Sequence, residues 1–298
     1  MTVRKNLKKL VRARIAKTGE SYTTALQHIR SQNVQKVNKE SDIAITLKNR
    51  FVLEQCIGTD EISQIYRALD LRQQEANVAN PYVAIQILNR AVSQQKARVL
   101  SLQRRAATAR RIHSNHVVAI YDFDRDEDTY FQALELLEGK TLDIYLKEKQ
   151  GRLSLNEAKT IIVGICEAIK IAHANQVLHA SFDPSKIYYT KDKIAKVFDF
   201  GAQLDKPSAT LYMSPERLLN QKPNVADDVF ALAVVIYEIL SGHHPFGGLL
   251  SSEATTKNVM PARPKELTEH QWQFLSHGLQ LDAEKRLSSI EQLESMFS

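Results

Sequence analysis

Three short segments in the second half of the sequence decide its fold. They read KVFDFG at residues 196–201, YMSPE at residues 212–216 and DDVFALAVVIYEILSGHHPF at residues 227–246. A single DFG triplet carries little information, but few unrelated sequences contain all three segments in this order and at this spacing. The ordered set therefore says more about the fold than any one of its parts.

The region before these segments is dominated by strand patterns. Five β-branched and aromatic runs lie there, interrupted by one helical stretch at about residues 93–112. The runs occupy residues 51–57, 63–68, 82–88, 117–123 and 129–136. Beyond Thr141 helical periodicity dominates to the C-terminus.

Two capping boxes support the helical reading of the second half. Ser154 with Glu157 predicts the start of a helix that runs to about Ala174, and Thr268 with Gln271 predicts another. A strand-rich front half followed by a helical back half predicts an α+β protein with two lobes.

From about residue 49 to the end, the sequence resembles the eukaryotic-type serine/threonine protein kinase family. The resemblance implies a bilobal fold, with a small antiparallel-sheet lobe at about 49–138 and a large helical lobe at about 139–298. It also implies that Asp199, in the DFG triplet, sits where the family holds magnesium on the nucleotide phosphates.

Several residues match structural anchors of that family. Glu216 and Arg286 occupy the places of a buried ion pair that ties the activation segment to the last helices. Asp228 occupies the place of an aspartate that braces the catalytic loop, and His179 matches the histidine of that loop. Since removing one partner of a buried ion pair costs about 3–5 kcal/mol, these residues are fold determinants with or without catalysis.

The loop that covers the nucleotide in the family departs from its pattern. In the segment IGTDEISQIY at residues 57–66, Gly58 is the one glycine that remains of three. Asp60 and Glu61 place carboxylates where backbone N–H groups would cover a triphosphate. We expect this loop to repel ATP.

The cation that holds the phosphates is also replaced. In YVAIQI at residues 82–87, Gln86 stands at the place of the family's lysine, and it carries no charge. The lysine's usual partner is a helix glutamate, yet no acidic residue occurs between Ala76 and Tyr121. Arg105 aligns with that glutamate, so the ion pair has lost both halves and gained a cation.

The segment LHASFDPSKI at residues 178–187 resembles the family's catalytic loop but lacks its reactive groups. Ser181 replaces the catalytic aspartate, and a serine cannot accept a proton near neutral pH. The family's arginine, lysine and metal-binding asparagine are replaced by Ala180, Asp183 and Lys186.

Of the residues that carry phosphoryl transfer in the family, only Asp199 remains. Asp199 could hold a metal ion if one binds, and Arg105 and Lys186 are candidate counter-charges for it.

Charge is concentrated at the N-terminus. Residues 1–40 contain ten Lys and Arg against Glu20 and Glu40, a net charge of +8, whereas the whole chain has a net charge of +6. Val3, Leu7, Leu10, Val11 and Ile15 recur at helical spacing among the basic residues, and Ser21 caps a second short helix. We therefore predict a basic helical segment at 1–31 and a polar linker at 32–48.

The remaining features favour a chain of the cytosol without a metal site. No apolar run approaches the ~20 residues that span a bilayer, and the first residues have no signal-peptide core, so we expect a cytoplasmic protein. Cys56 and Cys166 are predicted to be packing residues. His243 and His244 are predicted to be surface or capping residues, and Arg104, Arg110 and Arg111 an exposed basic face.

The principal hypothesis is a pseudokinase that acts as a protein-interaction or regulatory module and needs no cofactor. One alternative is an atypical kinase, or another phosphoryl or nucleotidyl transferase with ATP and Mg²⁺, in which Asp183 is a displaced base and Lys186 replaces the second metal ion. Another alternative is binding of nucleic acid or a different polyanion by residues 1–31. A protein partner is expected, and the sequence leaves the oligomeric state open.

Overall fold

The computed structural model describes residues 45–151, 153–201 and 209–297. These residues form an antiparallel sheet lobe followed by a mainly helical lobe, so the predicted two-lobed α+β class is confirmed. The basic helices predicted at 1–31, and most of the linker predicted at 32–48, lie outside the described residues.

The small lobe is built on a six-stranded sheet. Its strands are β1 Thr46–Leu47, β2 Phe51–Thr59, β3 Ser63–Asp70, β4 Tyr82–Leu88, β5 Ile120–Asp126 and β6 Thr129–Leu134. They lie in the order β1-β2-β3-β4-β6-β5, and every neighbouring pair is antiparallel. The strands β1 and β5 are therefore the two edges of this sheet.

Alternation along the strands produces the core of the small lobe. In β2, Phe51 and Leu53 are buried while Glu54 is exposed, because successive side chains point to opposite faces of a sheet. Phe51 meets Phe131 of β6 edge to face, with ring centroids 5.9 Å apart. This small core holds β3 and β4 against each other, and both strands contribute to the cleft described below.

Two boundaries of the sheet differ from the sequence prediction. The predicted linker ends too late, because Thr46 and Leu47 pair with β2 and Leu47 is buried. The strand predicted at 117–123 begins at Ile120 and continues through a run of aspartates to Asp126. The hydrogen bonds to β6 sustain that strand where the apolar pattern stops.

The helices of the small lobe are α1 Leu71–Glu75, α2 Arg90–Ser93 and α3 Lys96–Ala109. The single helix predicted at about 93–112 is therefore two helices separated by Gln94 and Gln95. Asn89 starts α2, since its side chain accepts a hydrogen bond from the Val92 N–H at 3.0 Å. The helix α3, which begins after this break, carries Arg105 into the cleft.

Within the described residues, the large lobe contains a three-stranded sheet and seven α-helices of different lengths. The strands are β7 Gly139–Thr141, β8 Ile187–Thr190 and β9 Ala195–Val197. The helices are α4 Leu142–Glu148, α5 Leu155–Ala174, α6 Pro215–Leu218, α7 Val225–Ser241, α8 Ser251–Thr256, α9 Glu269–Gly278 and α10 Ile290–Glu294.

The helix α7 is the central helix of this lobe. Twelve of its residues are buried, which is the pattern of a helix covered on nearly all sides. Asn224 and Asp227 form a capping box at its start, and Gly242 ends it in the left-handed conformation with φ +76°. The two acidic residues of its first turn, Asp227 and Asp228, are thereby fixed inside the lobe.

The two predicted capping boxes have different outcomes. Thr268 and Gln271 form the full box at the start of α9. Ser154 caps α5, but the Glu157 side chain accepts a hydrogen bond from the Tyr145 hydroxyl instead of closing the box. Glu157 thus ties α5 to α4, a contact that spacing along one helix cannot predict.

The two cysteines also differ from each other. Cys166 is buried in α5, as predicted, but Cys56 is exposed on β2, so the prediction that it packs in the interior is wrong. Both are free thiols. Among the described residues, no helix has the length and apolar character needed to cross a membrane.

Candidate functional site

A cleft of about 890 Å³ lies between the two lobes. Ile65, Ala84 and Leu134 from the small lobe and Phe198 from the large lobe give it apolar walls. Its inner end carries charged groups from three elements: Arg105 from α3, Lys186 from the 3-10 turn that precedes β8, and Asp199 just after β9. This end is where the sequence predicts the remaining reactive group.

Asp199 is held by two cations at once. Its Oδ2 lies 2.9 Å from the Lys186 ammonium, and its Oδ1 contacts the Arg105 guanidinium. The sequence predicted either cation as a counter-charge, and the structure has both. The side chains are 14% exposed for Arg105, 27% for Lys186 and 34% for Asp199, so water screens these pairs only in part.

The protonation of this cluster follows from its charges. Burial raises the pKa of the Asp199 carboxyl, but Arg105 and Lys186 lower it by more, so the pKa lies below its ordinary value. Burial lowers the pKa of the Lys186 ammonium, but Asp199 and Asp183 together raise it by more, so the pKa lies above its ordinary value. Asp199 and Lys186 are therefore charged near neutral pH. Together with the arginine side chain of Arg105, two positive groups face one negative group.

These residues do not fit a magnesium ion. Mg²⁺ needs oxygen ligands, and both oxygens of Asp199 are engaged by cations. Lys186, which the resemblance aligns with the family's metal-binding asparagine, puts its ammonium beside Asp199, and that ammonium repels a divalent cation. Nor do the described residues contain any group of three or more His, Cys, Asp and Glu side chains that could hold a metal ion.

The turn between β2 and β3 is fastened from within. Asp60 Oδ1 accepts hydrogen bonds from the backbone N–H groups of Ile62 at 2.8 Å and Ser63 at 2.6 Å, and the Ser63 hydroxyl donates to the same carboxylate at 2.9 Å. Asn89 donates to the Glu61 carbonyl at 2.7 Å. The Asp60 charge, predicted only to repel phosphates, thus stabilises its own turn.

Gln86 belongs to the same network. Its amide donates to the Ser63 hydroxyl at 2.9 Å and accepts from the Gln132 amide at 3.0 Å. Gln132 lies directly across from Gln86 on β6, and Ser63 is buried at the start of β3. We call this series of hydrogen-bonded side chains, Asp60–Ser63–Gln86–Gln132, the polar strap. It links the β2–β3 turn to the centre of the sheet.

The strap contains two residues that the sequence prediction missed, Ser63 and Gln132. Ser63 lies in the segment at residues 57–66 but has no assigned role in that motif, and Gln132 lies in no motif. The signal that identifies both is the register of β3, β4 and β6. Gly58, which the resemblance places in the loop over the nucleotide, lies instead within β2 and outside the lining of the cleft, whereas Gln86 lines the cleft as predicted.

The backbone of the catalytic loop is braced by Asp228. Its carboxylate accepts hydrogen bonds from the N–H groups of His179 and Ala180, both at 2.8 Å, and contacts His173 Nε2 at 2.9 Å. Ala180 has φ +65°, an uncommon conformation for a residue with a side chain, and these bonds hold it there.

His179 is a packing residue of the loop. Its Nε2 donates to the Phe198 carbonyl at 2.9 Å, and its ring lies 5.0 Å from the rings of both Phe182 and Phe200. Burial lowers the pKa of His179 despite the nearby carboxylates, so the ring is neutral. His179 therefore joins the loop to the DFG segment without carrying charge.

Ser181 and Asp183 are both partly buried, and Asp183 has a structural role. Its Oδ1 accepts a hydrogen bond from the Ser185 N–H at 2.7 Å and so caps the 3-10 turn Pro184–Lys186. That turn positions Lys186 beside Asp199. The contact explains Asp183 without a role in proton transfer.

The predicted anchor in the large lobe is present. Arg286 Nη2 lies 3.2 Å and 3.3 Å from the two oxygens of Glu216, and the Arg286 side chain is fully buried. Arg286 also donates to the carbonyls of Ala226 and Gln280 at 3.0 Å and 2.9 Å. Burial lowers the pKa of the Arg286 guanidinium below its ordinary value, yet an arginine remains charged.

The comparisons with known proteins agree with this geometry. The family model for the protein kinase domain matches residues 51–298. The chain belongs to the protein kinase family. The match covers both lobes, including the cleft and the anchors.

Relatives of this kinase-family chain are bacterial serine/threonine-protein kinases. PrkC of Bacillus subtilis is 28% identical over 229 residues, which are 73% of this chain and 34% of PrkC. PknH of Mycobacterium bovis is 32% identical over 224 residues, 72% of this chain and 36% of PknH. The chain spans about a third of the length of such relatives.

A solved structure supports the kinase fold. The crystal structure of the PknI kinase domain of Mycobacterium tuberculosis matches with a TM-score of 0.65, and the match covers 85% of this chain and 95% of that domain. The sequence identity is 17%, so this likeness speaks for the fold alone.

The remaining sequence predictions concern the surface of the kinase domain. Arg104, Arg110 and Arg111 are exposed, as expected for a basic face, whereas Arg105 turns into the cleft. His243 is exposed, and His244 accepts a hydrogen bond from the Phe246 N–H at 3.3 Å, which matches the surface and capping roles.

Proposed function

We propose that this member of the protein kinase family is a pseudokinase that works as a protein-interaction or regulatory module. The observation that carries the proposal is the cluster of Asp199 with Arg105 and Lys186. In this cluster the protein's own cations occupy the carboxylate that would otherwise hold a metal ion. A site neutralised in this way gains little from Mg²⁺.

Two further features support the proposal. Gln86 is engaged by Ser63 and Gln132, and it is uncharged, so it offers no counter-charge to phosphates. Ser181 stands at the place of the catalytic base and cannot take up a proton near neutral pH. Phosphoryl transfer depends on positioning and charge stabilisation together, so these losses act on the same step.

The first experiment measures ligand binding by thermal unfolding. Millimolar ATP with Mg²⁺ is expected to leave the melting temperature nearly unchanged. A ligand at 100 times its dissociation constant would add about 2.7 kcal/mol, which for a domain of this size is a rise of several degrees. A metal-dependent rise of that order would contradict the proposal and favour the atypical transferase.

A second experiment measures phosphate transfer from labelled ATP to a general protein substrate. We expect none from the native chain, from Ser181→Asp or from Gln86→Lys, because each reversal leaves the other defects in place. Asp199→Asn, purified in parallel, is the matched control for contaminating kinases. Incorporation by the native chain above that control would overturn the pseudokinase proposal directly.

A further inference from the structure

The β5–β6 hairpin carries an unusual concentration of acidic residues. Its segment DFDRDED, residues 122–128, contains five carboxylates, and three of them form exposed ion pairs. The pairs are Arg110 with Asp122 at 3.3 Å, Lys48 with Asp124 at 3.4 Å, and Arg125 with Asp128 at 3.3 Å. Five carboxylates against three cations leave two negative charges uncompensated.

The same hairpin forms an unpaired edge of the sheet. Within the described residues, β5 pairs with β6 on one side and with no strand on the other. Tyr121, near the start of β5, is exposed. An unpaired edge strand has free backbone groups and can accept another segment of chain. We call β5 and the following turn up to Asp128 the acidic edge.

The described chain begins beside the acidic edge. Lys48, in the turn between β1 and β2, donates its backbone N–H to Asp126 at 2.7 Å and places its ammonium 3.4 Å from Asp124. Lys48 and the next residue, Asn49, have φ +53° and +51°, the paired left-handed conformations of a tight two-residue turn. The chain before Thr46 therefore joins the fold close to these carboxylates.

The chain before this point has the complementary chemistry. Residues 1–44 contain ten Lys and Arg against Glu20, Glu40 and Asp42, a net charge of +7, while residues 45–298 have 30 against 31, a net charge of −1. The apolar positions from Val3 to Ile15 recur at helical spacing among these cations. Such a segment offers both positive charge and apolar side chains to an edge with carboxylates and an exposed tyrosine.

We propose that the basic segment, residues 1–44, docks on the acidic edge of its own chain. The inference goes beyond the proposed function and does not depend on it. An intramolecular site next to the point of attachment needs little loop closure, and its effective concentration exceeds that of a second copy in dilute solution. A polyanion that binds residues 1–31 would then compete with the acidic edge for the same cations.

The experiment is zero-length carbodiimide cross-linking of the full chain, followed by mass spectrometry. At 50 mM NaCl we expect bonds from Lys5, Lys8 and Lys9 to carboxylates of residues 124–128, within the monomer. At 500 mM NaCl these bonds should be largely lost, because the screening length falls to a few ångströms.

Paired variants make the test specific. Asp124→Lys with Asp128→Lys, both at exposed positions, should reduce cross-links to the remaining carboxylates of the acidic edge by about fivefold or more. The matched control, Glu266→Lys with Glu284→Lys, makes the same charge change at exposed positions of the large lobe and should leave the yield unchanged. Adding Lys8→Glu and Lys9→Glu to the first pair should restore cross-linking between the two regions.

Three results would overturn the proposal. Bonds confined to cross-linked dimers would assign the segment to a second copy. Equal losses of cross-links in the test and control variants would show that the effect comes from the overall net charge and not from the acidic edge. If these cross-links were absent at 50 mM NaCl, the segment would not dock there. The carboxylates would then serve only to protect the edge strand from aggregation.

Discussion

Two clusters in this molecule both pair a carboxylate with basic side chains, but they differ in burial. Glu216 and Arg286 lie in the large lobe, where one buried cation meets one carboxylate and three backbone carbonyls. Asp199 lies in the cleft, where one carboxylate meets two partly exposed cations. The first cluster stabilises the fold. The second includes Asp199, which the resemblance places where the family holds magnesium on the nucleotide phosphates.

The difference shows that a kinase fold keeps its supports separately from its reactive groups. Asp228 braces His179 and Ala180, so this loop has a defined backbone at the place where the resemblance predicts Ser181 instead of the catalytic base. In the cleft, in contrast, Asp199 pairs with Arg105 and Lys186. The expectations that follow test how far the two clusters differ in stability.

The largest effect is expected at the buried cluster. Arg286→Leu removes a fully buried guanidinium and leaves Glu216 without its counter-charge, so the free energy of unfolding should fall by about 3–5 kcal/mol. Urea unfolding followed by circular dichroism measures it. Arg263→Ala, which removes an exposed pair with Glu269, is the matched control and should change little. A small effect at Arg286 would erase the distinction between the clusters.

The cleft cluster should respond less strongly. Asp199→Asn leaves Arg105 and Lys186 facing each other, and because water reaches the cluster we expect a loss of about 1–3 kcal/mol. Adding Arg105→Gln should recover part of this loss, since it removes one of the two repelling cations. If the double variant were as unstable as the sum of the single variants, the three residues would not form one electrostatic unit.

A smaller effect is expected in the polar strap. Gln86→Lys removes the hydrogen bond that Gln86 accepts from Gln132 and disturbs the one to Ser63, at a cost of about 1–2 kcal/mol. Gln86→Met, of similar length but without hydrogen bonds, is the control for packing. Amide hydrogen exchange in the turn at residues 60–63 should accelerate in both variants. Unchanged exchange there would show that the strap does not hold the turn.

The smallest effect is a dependence on pH. The pKa of Asp199 is lowered in the folded chain, so its stabilising contribution is fully present above the unfolded value of about 3.9 and is lost as pH falls through the lower folded value. Unfolding free energies measured between pH 3 and pH 6 should therefore fall less steeply with acid in Asp199→Asn than in the native chain. Identical slopes would mean that Asp199 is not held by its cations in solution.

Much of this arrangement is predictable from the sequence because short motifs recur in the order and spacing of a known family. The order of strand and helix patterns predicts the two lobes, and the ordered motifs place Glu216, Arg286 and Asp228. The absence of acidic residues around Arg105, together with Lys186 in the loop, is enough to predict cations beside Asp199. The roles of these individual residues follow from the resemblance to the kinase family that the ordered motifs carry.

What the sequence does not predict depends on pairing between distant strands. Ser63 and Gln132 lie far apart in sequence, and only the antiparallel register brings both to Gln86. Likewise, β1 is too short to have a pattern of its own, and β2 stabilises it. Glu157 satisfies the spacing of a capping box, yet the Tyr145 hydroxyl of a neighbouring helix binds it instead.

The polar strap also constrains the routes by which this sequence can change. Gln86→Lys forfeits hydrogen bonds before any phosphate contact can compensate, and Lys186→Asn removes a counter-charge from Asp199 before any metal ion can replace it. Each of these substitutions, made alone, is therefore expected to lower the free energy of unfolding. If the proposed pseudokinase function holds, these substitutions depend on one another, and a gain of phosphoryl transfer in this cleft would require several simultaneous changes or a stabilised starting chain.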